Sequence, residues 1–298
     1  MRANPDDYEL VSPGSLEGVL ALLAEEPGHW TPIAGGTELM VQFNAGTLVP
    51  RHLVDIAGLR ELCEVTVTAE VITIGAGVNY ATIRSHRAIA ASLPLLVRAA
   101  GWTGSIANQN RGTLGGNLVN GSPAADSPPA LLAYDARVEL VSLRGTRTIP
   151  YTEFHTAYKR TALAPDELVL ALHIPRRAYT HQYLRKVGPR AAQAISKVAL
   201  AAVARMGHEG RIDEIRIGLA SVAPAPFRCG ATEAVLIGGS LTPALIARAR
   251  ATLAEEITPL DDIRSTARYR TQVAANLMEK FLLELRAMQP LESHAGLG

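Results

Sequence analysis

Two pairs of adjacent glycines carry the clearest chemical signal in this sequence. They are Gly35-Gly36 and Gly115-Gly116, and each pair lies close to a threonine. Glycine has no Cβ, so its backbone amide can approach an anion closely. One such pair alone is more typical of a tight turn. Two of them in one chain, both between apolar segments, favour a shared anionic ligand without identifying it.

Neither pair fits the two commonest phosphate-binding patterns. The sequence contains no G-x-x-x-x-G-K-[ST], and Gly75 and Gly77 lack the third glycine and the strand-to-helix spacing of a dinucleotide fingerprint. The glycine loops alone therefore leave the identity of the anion open.

Composition excludes several classes of partner. In 298 residues, 29 Lys and Arg balance 28 Asp and Glu, for a formal net charge of +1. Such a chain has no global field that would draw it to nucleic acid or to an anionic membrane. It also lacks a run of roughly 18 apolar residues and an apolar stretch typical of a signal peptide. We therefore expect a cytoplasmic protein without nucleic-acid or membrane partners.

Cysteine and histidine usage argues against a metal site in this chain. Cys63 and Cys229 are the only cysteines, so the chain has neither a disulfide framework nor the four thiolates that an iron–sulfur cluster usually takes. The eight histidines form no His-x-x-x-His pair with an acidic residue between. Redox chemistry here would need a cofactor that requires no cysteine.

The first half of the chain alternates strands and helices around the glycines. Ser15 is predicted to cap a helix, and a short strand ends at Gly35 before a helical run at residues 39–43. Residues 65–74 are β-rich, and residues 80–100 predict one mostly apolar helix. The glycine-rich residues 110–118 predict neither helix nor strand. A helical turn at 131–133 and strands at 138–143 and 168–174 follow.

The last third has longer patterns. Apolar residues from Ile195 to Val203 predict a helical face, and residues 215–219 alternate as a strand. Thr242 caps a predicted helix that runs to residue 257, and a final helix carries Val273, Leu277 and Phe281. The tail at 289–298 has nothing to pack and is predicted to be disordered. Helices and strands in segregated runs predict an α+β fold.

Six segments give the sequence a family resemblance. It resembles the flavin-binding medium subunit of molybdenum hydroxylases of the xanthine dehydrogenase and carbon monoxide dehydrogenase group, closest to the xanthine dehydrogenase subunit. The match covers nearly the whole chain in order, and the long middle segment is its most specific part. The segments are residues 33–39, 110–133, 158–175, 185–201, 218–228 and 265–270, with YKRTALAPDELVL in the third favouring xanthine dehydrogenase.

The resemblance implies a fold and a domain division. The fold is the vanillyl-alcohol-oxidase (PCMH) type of FAD-binding fold, with two α+β subdomains at residues 1–57 and 58–176. A C-terminal α+β domain of the carbon monoxide dehydrogenase flavoprotein type follows at residues 177–298.

The resemblance also implies which residues bind FAD. The first loop would surround the pyrophosphate, and the second would present amides to it. A carboxylate would bind the adenosine ribose, an apolar residue would meet the flavin ring with its backbone, and a lysine would lie near the isoalloxazine. In that order they are Ile33, Ala34, Gly35, Gly36, Thr37, Glu38 and Leu39; Thr113, Gly116 and Asn117; Asp126; Val169; and Lys186.

These roles agree with elementary chemistry. Aligned backbone amides can hold the two charges of a pyrophosphate, so glycine loops suffice without a lysine. A carboxylate such as Asp126 can accept two ribose hydroxyls. A cation such as Lys186 would stabilise anionic reduced flavin, although a solvated surface lysine is an equal alternative. No catalytic and no metal-binding residue is predicted.

One position departs from the family pattern. A phenylalanine stacks on the flavin in xanthine dehydrogenases, and ungapped alignment places Thr103 at that position. Either Trp102 or Ile106 makes this contact instead, or the flavin ring packs differently.

The resemblance implies electron transfer rather than substrate hydroxylation. Hydroxylation would take place at molybdopterin on a large subunit, and electrons would pass through 2Fe–2S clusters on a small subunit. FAD on this chain would collect them for an external acceptor such as NAD, in a dimer of heterotrimers. Two alternatives remain: a self-contained flavin oxidase of the same fold, and a flavin-free scaffold subunit whose glycine loops are only turns.

Overall fold

The computed structural model describes residues 3–190 and 193–288 of the chain, and these residues form three main sheets with helices packed on them. The strands are β1 Glu9–Val11, β2 Thr31–Ile33, β3 His52–Asp55, β4 Val65–Val67, β5 Val71–Gly75, β6 Arg137–Ser142, β7 Gly145–Pro150, β8 His155–Ala157, β9 Arg160–Thr161, β10 Leu168–Pro175, β11 His181–Val187, β12 Val198–Met206, β13 Ile212–Ala220 and β14 Phe227–Arg228.

Among the described residues, eight α-helices lie between β1 and β6 in sequence and three follow β14. They are α1 Leu16–Glu25, α2 Leu39–Ala45, α3 Tyr80–Ser85, α4 Arg87–Ser92, α5 Pro94–Trp102, α6 Ile106–Arg111, α7 Leu114–Val119, α8 Ser127–Ala133, α9 Gly230–Leu236, α10 Pro243–Glu256 and α11 Ala267–Ala287.

The first sheet is parallel, with strand order β1-β3-β2. The predicted cap is confirmed, because the Ser15 hydroxyl oxygen accepts a hydrogen bond from the amide of Gly18 at 3.1 Å and starts α1. This helix buries Val19, Leu20 and Leu23. The predicted strand and helix on either side of the first glycine pair are confirmed as β2 and α2.

The second sheet is antiparallel, with strand order β4-β5-β10-β6-β7. The single helix predicted at residues 80–100 is wrong, since the chain forms α3, α4 and α5 there. His86 has extended backbone angles and both ends α3 and caps α4. Leu93 precedes Pro94, and the proline ring disfavours helical geometry in the residue before it. These two residues break the apolar run into short helices.

The third sheet is antiparallel, with strand order β11-β12-β13-β14. The helical face predicted from Ile195 to Val203 is wrong, because residues 198–206 form β12. Its first seven residues are all buried, with α8 and α11 packed on the strand. A strand covered on both sides has no alternation of polar and apolar residues, so its sequence cannot be told from a buried helix. The strand predicted at 215–219 and the two last helices are confirmed.

The second and third sheets share a core. Leu184, Ala201 and Val203 belong to the same buried cluster as residues of helices α3, α5 and α8. A Cβ at Gly218 would lie 2.4 Å from the carbonyl oxygen of Pro129, so β13 approaches α8 as closely as only glycine allows.

An ion pair network reinforces this junction. The Arg228 guanidinium donates to Asp135 at 2.9 Å and to Glu233 at 3.0 Å. Asp135 lies just after the end of α8, whereas Arg228 and Glu233 belong to the C-terminal part of the chain. The network therefore joins the two parts of the molecule.

Several expectations concern the organisation of the whole chain. The mixed α and β architecture is confirmed, whereas the division at residues 57/58 and 176/177 stays a prediction. No helix of the described residues is both long and apolar enough to cross a membrane. The tail at 289–298, predicted to be disordered, lies outside the described residues.

Candidate functional site

The fold brings the first glycine pair into contact with the residues just before the second pair. Here the first glycine loop is residues 34–38, and the second glycine loop is residues 112–117. The Arg111 guanidinium donates from Nε to the carbonyl oxygen of Gly35 at 3.2 Å. A Cβ at Gly35 would lie only 1.8 Å from the carbonyl oxygen of Arg111, so no other residue fits there without a backbone shift. Two segments 76 positions apart thus form one surface.

The first glycine loop has free backbone donors. The amides of residues 34–38 donate to no acceptor within the described residues. The loop connects Ile33, the last residue of β2, to Leu39, the first residue of α2. Gly36 has φ of +70°, a conformation that other residues rarely adopt. Free amides in a loop before a helix are suited to an anionic ligand.

The second glycine loop differs, because the amides of residues 114–117 already donate to acceptors within the protein. The prediction that this loop offers amides to the pyrophosphate stays a prediction, whereas the prediction that residues 110–118 form neither helix nor strand is wrong. The loop includes Thr113 as the cap and most of helix α7, which follows it. The donors and acceptors are Leu114 to Val78 at 2.9 Å, Gly115 to Ala76 at 2.8 Å, Gly116 to the Thr113 hydroxyl at 3.1 Å and Asn117 to the Thr113 carbonyl at 3.1 Å.

Packing explains why Gly115 lies in a helix. A Cβ at Gly115 would lie 2.6 Å from the Cβ of Ala76. Any larger residue would push α7 away from Ala76, whose own amide bonds to Leu170 of β10 at 2.9 Å. The glycine therefore allows close packing on the second sheet, and this tertiary contact outweighs its low helix propensity.

Two buried oxygens next to these loops lack a hydrogen-bond donor. They are Oδ1 of Asn117 and Oδ1 of Asp126, and neither has a hydrogen-bond partner within the described residues. A buried acceptor without a donor costs roughly 1–3 kcal/mol. Their presence is accounted for if a ligand with hydroxyl or amide donors binds here.

Asp126 forms a buried ion pair with Lys186 of β11. The Lys186 ammonium donates to Oδ2 at 2.9 Å and lies 2.8 Å from Oδ1, where the contact is ionic but lacks hydrogen-bond geometry. The side chains are only 11% and 10% exposed. Burial raises the pKa of Asp126 to about 6, and Lys186 opposes this shift. The carboxylate is thus accessible to protonation near neutral pH.

The ion pair affects the FAD contacts that are predicted for Asp126 and Lys186. Asp126 was assigned to the adenosine ribose and Lys186 to the isoalloxazine, which are different parts of FAD. Since their charged groups lie 2.8 Å apart, both side chains would face the same part of a bound ligand. Lys186 is also not the solvated surface lysine of the alternative interpretation, because its side chain is buried.

The other predicted contacts lie around this surface. Val169 is 5% exposed and belongs to the same core as α7, and its flavin contact stays a prediction. Trp102 packs against that core with the Arg98 guanidinium 5.9 Å from its ring centroid, whereas Ile106 is 73% exposed. The Thr103 hydroxyl donates to the Ala99 carbonyl at 3.1 Å. Of the two candidates for a flavin contact, Ile106 is the more accessible.

One cavity lies away from the glycine loops. It has a volume of about 730 Å³ and includes His155, Pro224 and Arg228 in its lining, but no residue of either loop. Burial lowers the pKa of His155 to about 4, so this side chain is neutral at physiological pH. We place the candidate site at the loops because the free amides and unpartnered oxygens are there. In the described ranges, no group of His, Cys, Asp and Glu side chains could hold a metal ion.

Some residues of the site had no role assigned from the sequence. Arg111 holds the first glycine loop, and its only signal was that it is one of two charged residues in the segment 110–126. Ser196 and Ser221 contact the turn before Asp126, through the carbonyls of Ala124 and Pro123. Small polar residues within apolar runs gave no signal for this function.

Comparison with known families shows which family this chain belongs to. Residues 6–177 match the family model described as the FAD binding domain in molybdopterin dehydrogenase. The chain belongs to this family of flavin-binding subunits. Residues 183–285 match a second model, the C-terminal domain of carbon monoxide dehydrogenase flavoproteins.

Relatives of the flavin-binding subunit align along most of its length. It is 30% identical over 283 residues to subunit alpha of the 6-hydroxypseudooxynicotine dehydrogenase complex of Paenarthrobacter nicotinovorans, with 93% of this chain and 94% of that protein covered. It is 29% identical to the xanthine dehydrogenase FAD-binding subunit of Escherichia coli, over 91% and 93% of the two chains.

A solved structure agrees with the sequence comparisons. Carbon monoxide dehydrogenase of Hydrogenophaga pseudoflava contains a chain that superposes with a TM-score of 0.90 at 28% identity, with 97% of this chain and 100% of that chain covered. The family resemblance, the fold type with its C-terminal flavoprotein domain, FAD as the cofactor and the oxidoreductase class are thereby confirmed. The individual FAD contacts stay predictions.

Proposed function

We propose that this flavin-binding subunit transfers electrons within a heteromeric, xanthine dehydrogenase-like molybdenum hydroxylase. It would take electrons from the 2Fe–2S clusters of a small subunit and pass them to an external acceptor such as NAD. The observation that carries the proposal is the family match over residues 6–177, together with the free donors and acceptors at the matched loops.

The residues present fit FAD. The five unbonded amides of residues 34–38 suit a pyrophosphate with two negative charges. The unpartnered Oδ1 of Asn117 and the Asp126 carboxylate, which is ion-paired with Lys186, suit ribose or ribityl hydroxyls. Bound FAD would supply redox chemistry that connects one-electron carriers to a two-electron acceptor. The task of this chain is to bind and orient the cofactor and to place the Lys186 charge beside it.

Cysteine content supports a division of work between subunits. Cys229 is buried and burial raises its pKa well above the ordinary value, while Cys63 is exposed and far away in sequence. Two separate thiols cannot hold an iron–sulfur cluster. The clusters and molybdopterin would therefore belong to other chains, as the names "medium chain" and "medium subunit" among its relatives suggest. We propose a cytoplasmic dimer of heterotrimers.

The two alternatives make different demands on the structure. A self-contained flavin oxidase needs a substrate pocket beside the flavin, and the cavity of about 730 Å³ contains no residue of either glycine loop. A flavin-free scaffold needs no free amides and no unpartnered acceptors, yet both are found at the same surface. Both observations favour the electron-transfer subunit.

Two measurements test the proposal. The purified chain is expected to show flavin absorbance, with FAD released on denaturation, and a colourless chain that takes up no added FAD would contradict it. Purification from the native host is expected to yield a molybdenum-containing large chain and a cysteine-rich small chain as well. A chain that oxidises a substrate alone would instead support the self-contained oxidase.

A further inference from the structure

The turn before Asp126 is held by residues from the C-terminal part of the chain. The amide of Ser221 donates to the Pro123 carbonyl at 2.8 Å, and the Ser196 hydroxyl donates to the Ala124 carbonyl at 3.3 Å. The two serine hydroxyls lie 3.1 Å apart. The position of Asp126 therefore depends on where Ser196 and Ser221 lie.

One buried arginine contacts the carbonyl of Ser221 and the carbonyl of the residue that follows Ser196. Arg270 of α11 is 4% exposed. Its Nη1 donates to the carbonyl of Lys197 at 2.8 Å and to the carbonyl of Ser221 at 3.1 Å. Its Nη2 donates to the Asp262 carboxylate at 2.7 Å. A planar guanidinium with fixed donors can bind several acceptors at once in a way that an ammonium group cannot.

Each of these two carbonyls belongs to a residue whose amide bonds to the chain close to one member of the buried ion pair. The amide of Lys197 donates to the carbonyl of Val187 at 2.7 Å, and Val187 follows Lys186 directly. On the other branch, Ser221 bonds to Pro123, three residues before Asp126. One guanidinium thus contacts the two chain segments that position the carboxylate and the ammonium.

The backbone of Ser221 shows that its position is imposed by its surroundings. Its φ is +66°, in the left-handed region that residues with a side chain rarely adopt. Such a conformation costs about 1–3 kcal/mol and persists only where neighbouring contacts hold it. The contacts of Ser221 are its bonds to Pro123, Ser196 and Arg270.

From this arrangement we infer that Arg270 is a positioning residue for FAD binding, which sets the relative placement of Asp126 and Lys186 without touching the cofactor. The inference rests on the proposed function, because Asp126 and Lys186 are its predicted FAD contacts. Loss of Arg270 is expected to leave the glycine loops intact while uncoupling the two charged side chains from each other.

Double-mutant cycles test this inference. The dissociation constant for FAD is measured for the wild type, Asp126→Asn, Lys186→Met and the double variant, in the presence and absence of Arg270→Gln. With Arg270, the effects of the two single changes are expected to differ from additivity by about tenfold. In the Arg270→Gln background this non-additivity is expected to fall below about twofold.

A merely structural role for Arg270 predicts another result. General destabilisation would weaken FAD binding of all four variants by one common factor and leave the non-additivity unchanged, which would overturn the inference. Arg228→Gln is the control, because Arg228 is another arginine at the junction, half-buried rather than buried, that bonds to Asp135 and Glu233 instead. It is expected to leave the non-additivity intact.

The same cycles in urea unfolding of the FAD-free chain separate this inference from the proposed function. If the wild type binds no FAD, the proposed function fails, and the unfolding equilibrium constants still report the coupling of Asp126 with Lys186. If Arg270→Gln does not fold, Arg270→Lys and Asp262→Asn loosen the same contacts more gently. Full coupling in both of these folded variants would contradict the inference.

Discussion

The two glycine loops share a glycine pair near a threonine, but the hydrogen bonding of their backbone amides differs. In the first, the amides of residues 34–38 are free within the described chain, and in the second, the amides of residues 114–117 all have acceptors. Gly35 allows contact with Arg111, whereas Gly115 allows contact with Ala76. A glycine pair therefore does not by itself mark an anion site, and the hydrogen-bond partners of its amides decide the function.

The difference assigns separate tasks to the two loops. The first is suited to bind the pyrophosphate, and the second fixes the position of the first and presents the side chain of Asn117. Substitutions in the first loop should therefore act mainly on FAD affinity, and substitutions in the second should act mainly on stability.

The largest effect is expected for Gly35→Ala. The added Cβ would overlap the Arg111 carbonyl at 1.8 Å, so the two loops must separate. We expect the FAD affinity to fall by at least about a hundredfold, equal to roughly 2.7 kcal/mol. Fluorescence titration of the apoprotein with FAD measures this change.

Gly115→Ala is the matched variant in the second loop. Its Cβ would lie 2.6 Å from the Cβ of Ala76, which should lower the free energy of unfolding by about 1–3 kcal/mol. Any loss of FAD affinity should be smaller than for Gly35→Ala. Equal losses of affinity in the two variants, measured on folded protein, would remove the distinction between the loops.

The next effect concerns pH and Asp126. The carboxylate form accepts hydroxyl hydrogen bonds and the protonated form breaks the pair with Lys186, so FAD affinity should fall as pH decreases through about 6. Below this value, the fall should approach about tenfold per pH unit. Asp126→Asn should bind FAD weakly at all pH values and lose this dependence. A pH-independent affinity of the wild type would exclude Asp126 from the site.

The stability of the FAD-free chain should change with pH in the opposite direction. Because the folded chain holds the pKa of Asp126 above its unfolded value of about 4, protonated Asp126 is favoured by folding. Its contribution is fully present below pH 4 and is lost as pH rises to about 6. Urea unfolding of the wild type and of Asp126→Asn at pH 4.5 and 7 isolates this contribution, since other acidic groups are common to both.

A smaller effect is expected for Gly36→Ala. The residue has φ of +70°, and alanine in this region is strained by roughly 1–2 kcal/mol. Because the loop can relax when empty, much of this strain should appear as an FAD affinity reduced by about tenfold. Thermal unfolding of the apoprotein provides the comparison, and a shift there without a change in affinity would place Gly36 outside the binding surface.

The smallest effect is expected for Thr113→Ala. It removes the hydroxyl that accepts the Gly116 amide, and loss of such a cap costs about 1 kcal/mol. We expect a lower unfolding temperature and an FAD affinity within about threefold of the wild type. Loss of FAD binding in the folded variant would show that the Thr113 hydroxyl contacts the cofactor itself.

Local signals in the sequence predicted much of the fold but not all of it. Ser15 and Thr242 were identified as caps because their chemistry depends on residues close in sequence. Strand β12 was mistaken for a helix because burial on both faces removes the alternation that distinguishes a strand. Helix α7 was missed because its glycines are explained only by contact with Ala76, about 40 residues away.

The candidate site shows the same limit. The resemblance predicted roles for the two loops, Asp126 and Lys186, but not that the two charged side chains form a pair over 60 positions. The amide bonds that satisfy the second loop come from Val78 and Ala76, and these partners are set by tertiary packing. Sequence patterns identify the residue types of a site more readily than the state of their hydrogen bonds.

The core that the second and third sheets share has a consequence for how this chain denatures. Leu184, Ala201 and Val203 of the third sheet are buried among helices that pack on the second sheet. Neither sheet with its helices can therefore unfold without exposing apolar surface of the other. Denaturation of these two parts should then proceed as one cooperative event. Fluorescence of Trp102, which packs against that core, would consequently report ligand-induced protection anywhere in this unit.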